Sequence, residues 1–217
     1  MIASIAGSDL EVLFQTGVPS QVLQSSNPLN WPIGLALDIS RRMIYWTQKG
    51  PSKGNQGRLF RASLEIPAGR SVSQRTDIQC LLSGLPEPID LDFDAHTRML
   101  YWTDRGNPPL GGTLNRICID EFGEFEGSGM EMGIGTRQTK TAEARHVVMR
   151  KLNEPIGLKL DRRIGHVYVA DMSGCIYRCD KDGAQRRTVL AVGEYGAFTG
   201  ITISHACSSG QTMKAVL

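Results

Sequence analysis

An internal repeat restricts this chain more than any other feature, because self-similarity at a fixed period sets the architecture before local propensity does. Three segments align: Trp31-Pro-Ile-Gly-Leu-Ala-Leu-Asp38, Glu87-Pro-Ile-Asp-Leu-Asp-Phe-Asp94 and Glu154-Pro-Ile-Gly-Leu-Lys-Leu-Asp161. After a short polar turn each is followed by a second apolar run: Ile44-Tyr-Trp-Thr-Gln48, Leu100-Tyr-Trp-Thr-Asp104 and Val167-Tyr-Val-Ala-Asp171. Pro32, Pro88 and Pro155 lie 56 and 67 residues apart, and Tyr45, Tyr101 and Tyr168 keep the same intervals. A third element begins at Gly57, Gly112 and Gly174, and a fourth at Ile78, His146 and Arg187. Each element is short, rich in β-branched and aromatic residues, and bounded by turn formers. The first is apolar at most positions, as a strand buried on both faces is; the third alternates, as a half-exposed outer strand does. Four strands per unit predict an all-β fold of antiparallel propeller blades.

The chain reads as one domain over 1–217, with blades at 28–83, 84–151 and 152–192. Residues 1–20 resemble the third and fourth strands of a blade, and 196–206 resemble the opening of another, so three whole blades are flanked by two halves. Residues 121–145, glycine-rich and mixed in charge, account for the longer interval and read as a mobile insertion. Residues 49–57 and 105–112 are equivalent long turns after the second strand.

Composition narrows the partners. The net charge is +2, with 41% hydrophobic and 21% charged residues over 217 positions, which gives no reason to expect nucleic acid or an anionic membrane. No stretch approaches the roughly 18 apolar residues of a membrane helix. Cysteine occurs five times, an odd number without a CxxC pair, and the first residues carry no basic segment followed by an apolar run. Reduced thiols in a cytoplasmic protein are expected.

The Tyr-Trp-Thr-Asp run at Tyr101–Asp104, its near copy at Tyr45–Gln48, and the Pro-Ile-Gly-Leu-x-Leu-Asp strands at Pro32–Asp38 and Pro155–Asp161 together resemble the YWTD repeat, the low-density-lipoprotein-receptor class B repeat. The resemblance covers nearly all the chain apart from 121–145 and the tail after 205. It implies a six-bladed propeller, which needs more chain than this. Three outcomes stay open: the two halves meet in a small ring, two chains pair through open blade edges, or the chain is a piece of a longer one. Receptor propellers are flanked by disulfide-rich modules that help dock ligands; none is present here, so the resemblance implies the scaffold rather than the receptor role.

In that fold the aromatics Tyr45, Trp46, Tyr101, Trp102 and Tyr168 pack between neighbouring blades as core. Asp104 and Asp171 close the second strand and accept backbone N–H bonds in the turn that follows; Asp38, Asp94 and Asp161 do the same after the first. The residues entering the innermost strand gather at one mouth of the axial channel. They are Asn30, Trp31, Glu87, Asn153, Glu154, Phe198 and Thr199, and carboxylates, amides and aromatics around one opening suit a small molecule. Glu87 and Glu154 are candidate acid and base that raise each other's pKa. Asp90 stands where Gly34, Gly157 and Gly200 stand in the other repeats, so its carboxylate is expected to point into the channel. Asn30, Trp31, Asn153, Phe198 and Thr199 are the expected substrate-binding residues.

No cofactor is expected. Ca²⁺ is the one ion worth weighing, with Glu87, Asp90, Asn153 and Glu154 as oxygen ligands. The four histidines show no metal-binding spacing, and no GxSxG, phosphate loop or dinucleotide fingerprint is present. The leading functional expectation is a small-molecule protein using the axial channel. Solitary propellers of fungal specialised metabolism are similar in this respect, and some are thought to direct cycloadditions, for which an apolar pocket and one or two hydrogen-bonding groups suffice. The alternatives are a protein-interaction module with Trp31 and Phe198 as anchors, and a Ca²⁺-dependent, lactonase-like hydrolase.

Overall fold

Each repeat folds into one four-stranded antiparallel sheet. In the computed structural model, which describes residues 11–16, 27–122, 140–191, 196–205 and 215–216, the first sheet is β1 (Pro32–Asp38), β2 (Met43–Gln48), β3 (Gly57–Ser63) and β4 (Gln79–Leu85), in that order. The second comprises β5 (Pro88–Asp94), β6 (Met99–Asp104) and β7 (Thr113–Cys118), skips the two-residue β8 (Lys140–Thr141), and closes with β9 (His146–Met149). The third runs β10 (Pro155–Asp161), β11 (His166–Asp171), β12 (Ile176–Asp180) and β13 (Arg187–Leu190). A fourth, two-stranded sheet pairs β14 (Thr202–Ile203) with β15 (Ala215–Val216). The first strands lie side by side in the order β1, β5, β10, β14. The described chain is therefore a propeller-like series of sheets.

The turn between first and second strands is built the same way each time. Asp38 accepts a bond from the Arg41 N–H, Asp94 from His96 and Asp161 from Arg163. Four residues after each Asp the backbone needs a positive φ, taken by Arg42 (52°), Arg98 (58°) and Gly165 (77°). The aspartates also clamp the next unit: Asp38 pairs with Arg98, Asp94 with Lys181, and Asp161 with His205 at 3.2 Å. The local role expected of them is joined by one between sheets.

The second strand, rather than the first, is the most buried: all six residues of β2, and five of six in β6 and β11. It has a strand on either side in its own sheet, and β6 also has a sheet against each face. Its alternation sends Tyr and Trp opposite ways. Tyr45 stacks on Phe93 of the second sheet at 5.2 Å, and Trp102 of the second sheet packs among Leu59, Leu81 and Leu82 of the first. Tyr101 packs with Leu158 and Leu160 of the third sheet. Trp46 stacks at 4.3 Å on Phe14, and Tyr168 meets Phe198, Ile201 and Ile203. The aromatic pairs are core, as the sequence implies.

The third residue of the Tyr-Trp-Thr run has its own task. The Thr47 hydroxyl accepts the Gly34 N–H (2.9 Å) and donates to the Ile89 carbonyl (2.6 Å); the Thr103 hydroxyl accepts the Asp90 N–H (3.2 Å) and donates to the Ile156 carbonyl (3.0 Å). Both sit at the break in register where the first strand loses direct pairing with the second. One hydroxyl thus satisfies a stranded N–H in its own sheet and a stranded carbonyl in the next. Ala170 stands at the third copy, which lacks the stitch.

Two expectations are corrected. β1 is not buried on both faces: Ile33, Leu35 and Leu37 are 46%, 52% and 41% exposed, because no described strand packs on that side. The proposed insertion 121–145 is not wholly a loose loop. Lys140–Thr141 pairs in parallel with the outer strand β4, covering an edge that would otherwise offer unpaired backbone groups, and Ala142 enters the core between the first two sheets. Residues 123–139, and 1–10 and 17–20 of the N-terminal half blade, lie outside the described residues.

Candidate functional site

The residues that enter the first strands are held by the aspartates that end the second strands. Asp104 accepts the N–H of Glu87 (2.9 Å) and of Gly106 (3.1 Å); Asp171 accepts the N–H of Asn153 (3.0 Å) and of Ser173 and Cys175 in its own turn. The second oxygen of Asp104 is buried without a partner, and burial pushes its pKa up to about 6. The first sheet has Gln48 here, which accepts from Arg58.

Glu87 is buried and fully engaged. Its carboxylate accepts the Lys53 N–H (2.6 Å), the Ser52 hydroxyl (3.0 Å) and the Arg105 guanidinium (3.0 Å), with the Lys49 ammonium at 3.5 Å. It ties together the two long turns that follow β2 and β6. Burial pushes the carboxyl up, but these four partners bring it net below the usual carboxylate range. The expectation that Glu87 and Glu154 raise each other's pKa is therefore corrected: Glu87 is held as a charged structural knot. Glu154 is exposed, with φ +47°. Asn153 is exposed next to it, and the carbonyl of each receives the Met172 N–H.

The aromatics expected at the mouth take different positions. Asn30 ends a short 3₁₀ turn, Pro28–Asn30, and Trp31 after it is 44% exposed. Phe198 is half-buried against Tyr168, Ala170 and Ile176, while Thr199 is exposed. A groove of about 180 Å³ runs between the two long turns, lined by Lys53, Asn55, Pro86, Asn107, Pro108 and Leu110.

Asp90 is the one residue of β5 that is not buried outright. Its two oxygens accept the Leu91 N–H and, across the gap to the third sheet, the Leu158 N–H, each at 2.9 Å. Burial raises its pKa, and the two backbone donors only partly offset this. Among the described residues no cation is paired with it, in contrast to Glu87, and the charge of Lys159 acts on it only from beyond contact. Two residues on, Asp92 repeats the bridge, accepting the Phe93 N–H (2.9 Å) and the Leu160 N–H (3.0 Å), and is paired with Lys159 and Arg162. Sequence reasoning missed Asp92. Its signal was the alternation Asp-x-Asp at positions occupied by Gly-x-Ala in β1 and Gly-x-Lys in β10. Chemically, Asp90 is suited to hold or donate a proton, whereas Asp92 is ion-paired with Lys159 and Arg162.

Among the described residues no three His, Cys, Asp or Glu side chains converge as a metal-binding group, and no helix is long and apolar enough to cross a membrane. Glu87, one of the oxygen ligands weighed for Ca²⁺, spends its oxygens on Ser52, Lys53 and the two cations.

No family model matches this chain. It is 42% identical over 199 residues, 91% of its length, to a 3-hydroxyacyl-CoA dehydrogenase-like protein, LAM1, of Cochliobolus heterostrophus, of which it covers 40%. It is 38% identical over 203 residues, 94% of its length, to a protein of Pyricularia oryzae named low-density lipoprotein receptor-related protein 1, of which it covers 60%. Among solved structures, one assigned as a 6-phosphogluconolactonase from Bacteroides uniformis aligns with a TM-score of 0.45 and 11% identity, covering 78% of this chain and 46% of that one. A glucose dehydrogenase aligns at 0.44 and 15%, covering 76% and 50%. The chain thus spans 40% and 60% of the two curated relatives it matches, and matches about half of each of these structures.

Proposed function

We propose that this chain forms part of a YWTD-type β-propeller that binds a small organic molecule beside its first strands and acts on it as an enzyme. Asp90 carries the reading. A carboxyl that replaces the repeat's glycine, has no cation paired with it among the described residues and has a raised pKa is placed to offer a hydrogen bond or a proton. Glu87, Asp104 and Asp171 serve as the frame that positions the strand entries. Such a site favours reactions in which holding the reactant in one pose and protonating or polarising one oxygen are enough, such as a cyclisation or cycloaddition. The dehydrogenase-like name of the Cochliobolus relative fits a small-molecule role. A second reading, a protein-interaction module, is favoured by exposed Trp31 and by the name of the Pyricularia relative.

The test measures binding and conversion of three probes: a linear conjugated polyene ester, a medium-ring lactone and a 3-hydroxyacyl thioester. Wild type and Asp90→Asn are compared at pH 5 and pH 8, with circular dichroism to check the fold. Saturable binding of one probe by both proteins is expected, with conversion about 10²-fold slower or worse in Asp90→Asn. Absence of binding by every probe, or equal conversion by both proteins, overturns the reading.

A further inference from the structure

The two ends of the described series carry complementary surfaces that the interior sheets use up. Between the first and second sheets, the row Gly34, Ala36 and Asp38 of β1 faces the row Ile89, Leu91 and Phe93 of β5. The approach is so close that a Cβ on Gly34 would run into the Ile89 carbonyl and come 2.9 Å from the Asp90 Cα. The same contact recurs between the third sheet and the C-terminal strand, where a Cβ on Gly157 would lie 3.0 Å from the Gly200 carbonyl carbon. At the first junction the small residues Gly34 and Ala36 meet the large apolar residues of β5.

Among the described residues each row is left uncovered once. At the leading end, Ile33, Leu35 and Leu37 of β1, the equivalents of Ile89, Leu91 and Phe93, are exposed. At the trailing end, Gly200, Thr202 and Ser204, the equivalents of Gly34, Ala36 and Asp38, are exposed, while Ile201 and Ile203 pack down on the third sheet. A Cβ on Gly200 would meet nothing within 4 Å.

The partial blades are complementary as well. Leu13 and Phe14 cover Trp46 as Leu81 and Leu82 of the fourth strand β4 cover Trp102, so this segment occupies a fourth-strand position in front of the first sheet. β14 and β15 pair antiparallel as first and second strands do. The apolar groove of about 280 Å³ between Phe14 and the Ile33–Leu37 row lies where such first strands would enter.

We infer that the open face of the first sheet is a docking surface for a second copy of this chain. The Gly200–Thr202–Ser204 row of each copy packs on the Ile33–Leu35–Leu37 row of the other, so that two chains close head to tail. Each junction then becomes one blade, with β14 and β15 from one copy and the 11–16 segment from its partner. The contact continues the packing already repeated between sheets, and a heterologous contact of this kind closes into a ring when its rotation allows. A leftover apolar row of three large side chains also has a reason to be covered. The inference is independent of the small-molecule reading.

Two variants on exposed positions test it without touching a folded interior: Gly200→Arg on one surface and Leu35→Lys on the other. Sedimentation across the accessible concentration range is expected to give a dimer for wild type and a monomer for each variant, with unchanged β-sheet circular dichroism. An equimolar mixture of the two variants is expected to recover a dimer, because one junction then has both wild-type surfaces. A wild-type monomer throughout overturns the inference and leaves the face to other segments or partners. So does a dimer broken by Leu35→Lys but not by Gly200→Arg, which would be a face-to-face contact of the apolar rows. An assembly larger than two that both variants dissolve overturns the two-copy ring.

Discussion

Thr47→Val replaces a hydroxyl by a methyl of nearly the same shape, so it isolates the stitch between the first and second sheets. The hydroxyl is fully buried and makes two bonds, to the Gly34 N–H at 2.9 Å and the Ile89 carbonyl at 2.6 Å. Both backbone groups sit at the register break, where ladder bonds are missing. Removing one partner of a buried hydrogen bond costs about 1–3 kcal/mol, because the group left behind keeps its desolvation penalty without a bond. Two such groups give an expected loss of about 2–4 kcal/mol, allowing for partial relaxation of the strands. Thr47→Ser keeps the hydroxyl and loses one methyl group, which is worth about 1 kcal/mol. Urea unfolding followed by circular dichroism would read both, through the midpoint at constant m-value. Valine should be the costlier of the two by at least 1 kcal/mol, on the order of one lost buried bond. If Thr47→Val is within about 0.5 kcal/mol of wild type, the level of an ordinary surface change, the bridging role assigned to this residue of the motif is wrong.

Two further perturbations probe the carboxylates behind the strand entries. Glu87→Gln should cost about 2 kcal/mol, as loss of charge-assisted bonds does. It should also open the 49–57 and 105–112 turns to protease. Because Glu87 has its pKa lowered on folding, its contribution is present above the ordinary carboxylate range and fades as pH falls through it; unchanged cleavage of both turns would refute the knot. Asp104 has the opposite sign: with a folded pKa of about 6 against an ordinary 3.8, its contribution is full below 3.8 and is lost as pH rises through 6. The size is about 3 kcal/mol from the shift itself. Asp104→Asn should remove this fall from a plot of stability against pH, and an identical slope in the variant would count against the buried, half-satisfied carboxyl.

The chain order alone carried the all-β class, the four-strand unit and the core role of the Tyr-Trp pairs. Alternation and turn residues recur at matched intervals, and a period of two fixes which side chains share a face. The closing aspartates were legible as local turn acceptors for the same reason. What only the tertiary structure decided was what meets across sheets. Glu87 looked like a free acid because Lys49, Ser52, Lys53 and Arg105 reach it from two turns that are distant in sequence. Asp92 was overlooked because its partners, Leu160 and Arg162, belong to the next repeat. Ile33, Leu35 and Leu37 are as apolar as their buried counterparts Ile89, Leu91 and Phe93, yet stand exposed. A repeated sequence records the surface each unit presents, whereas burial depends on whether the neighbouring unit is there to cover it.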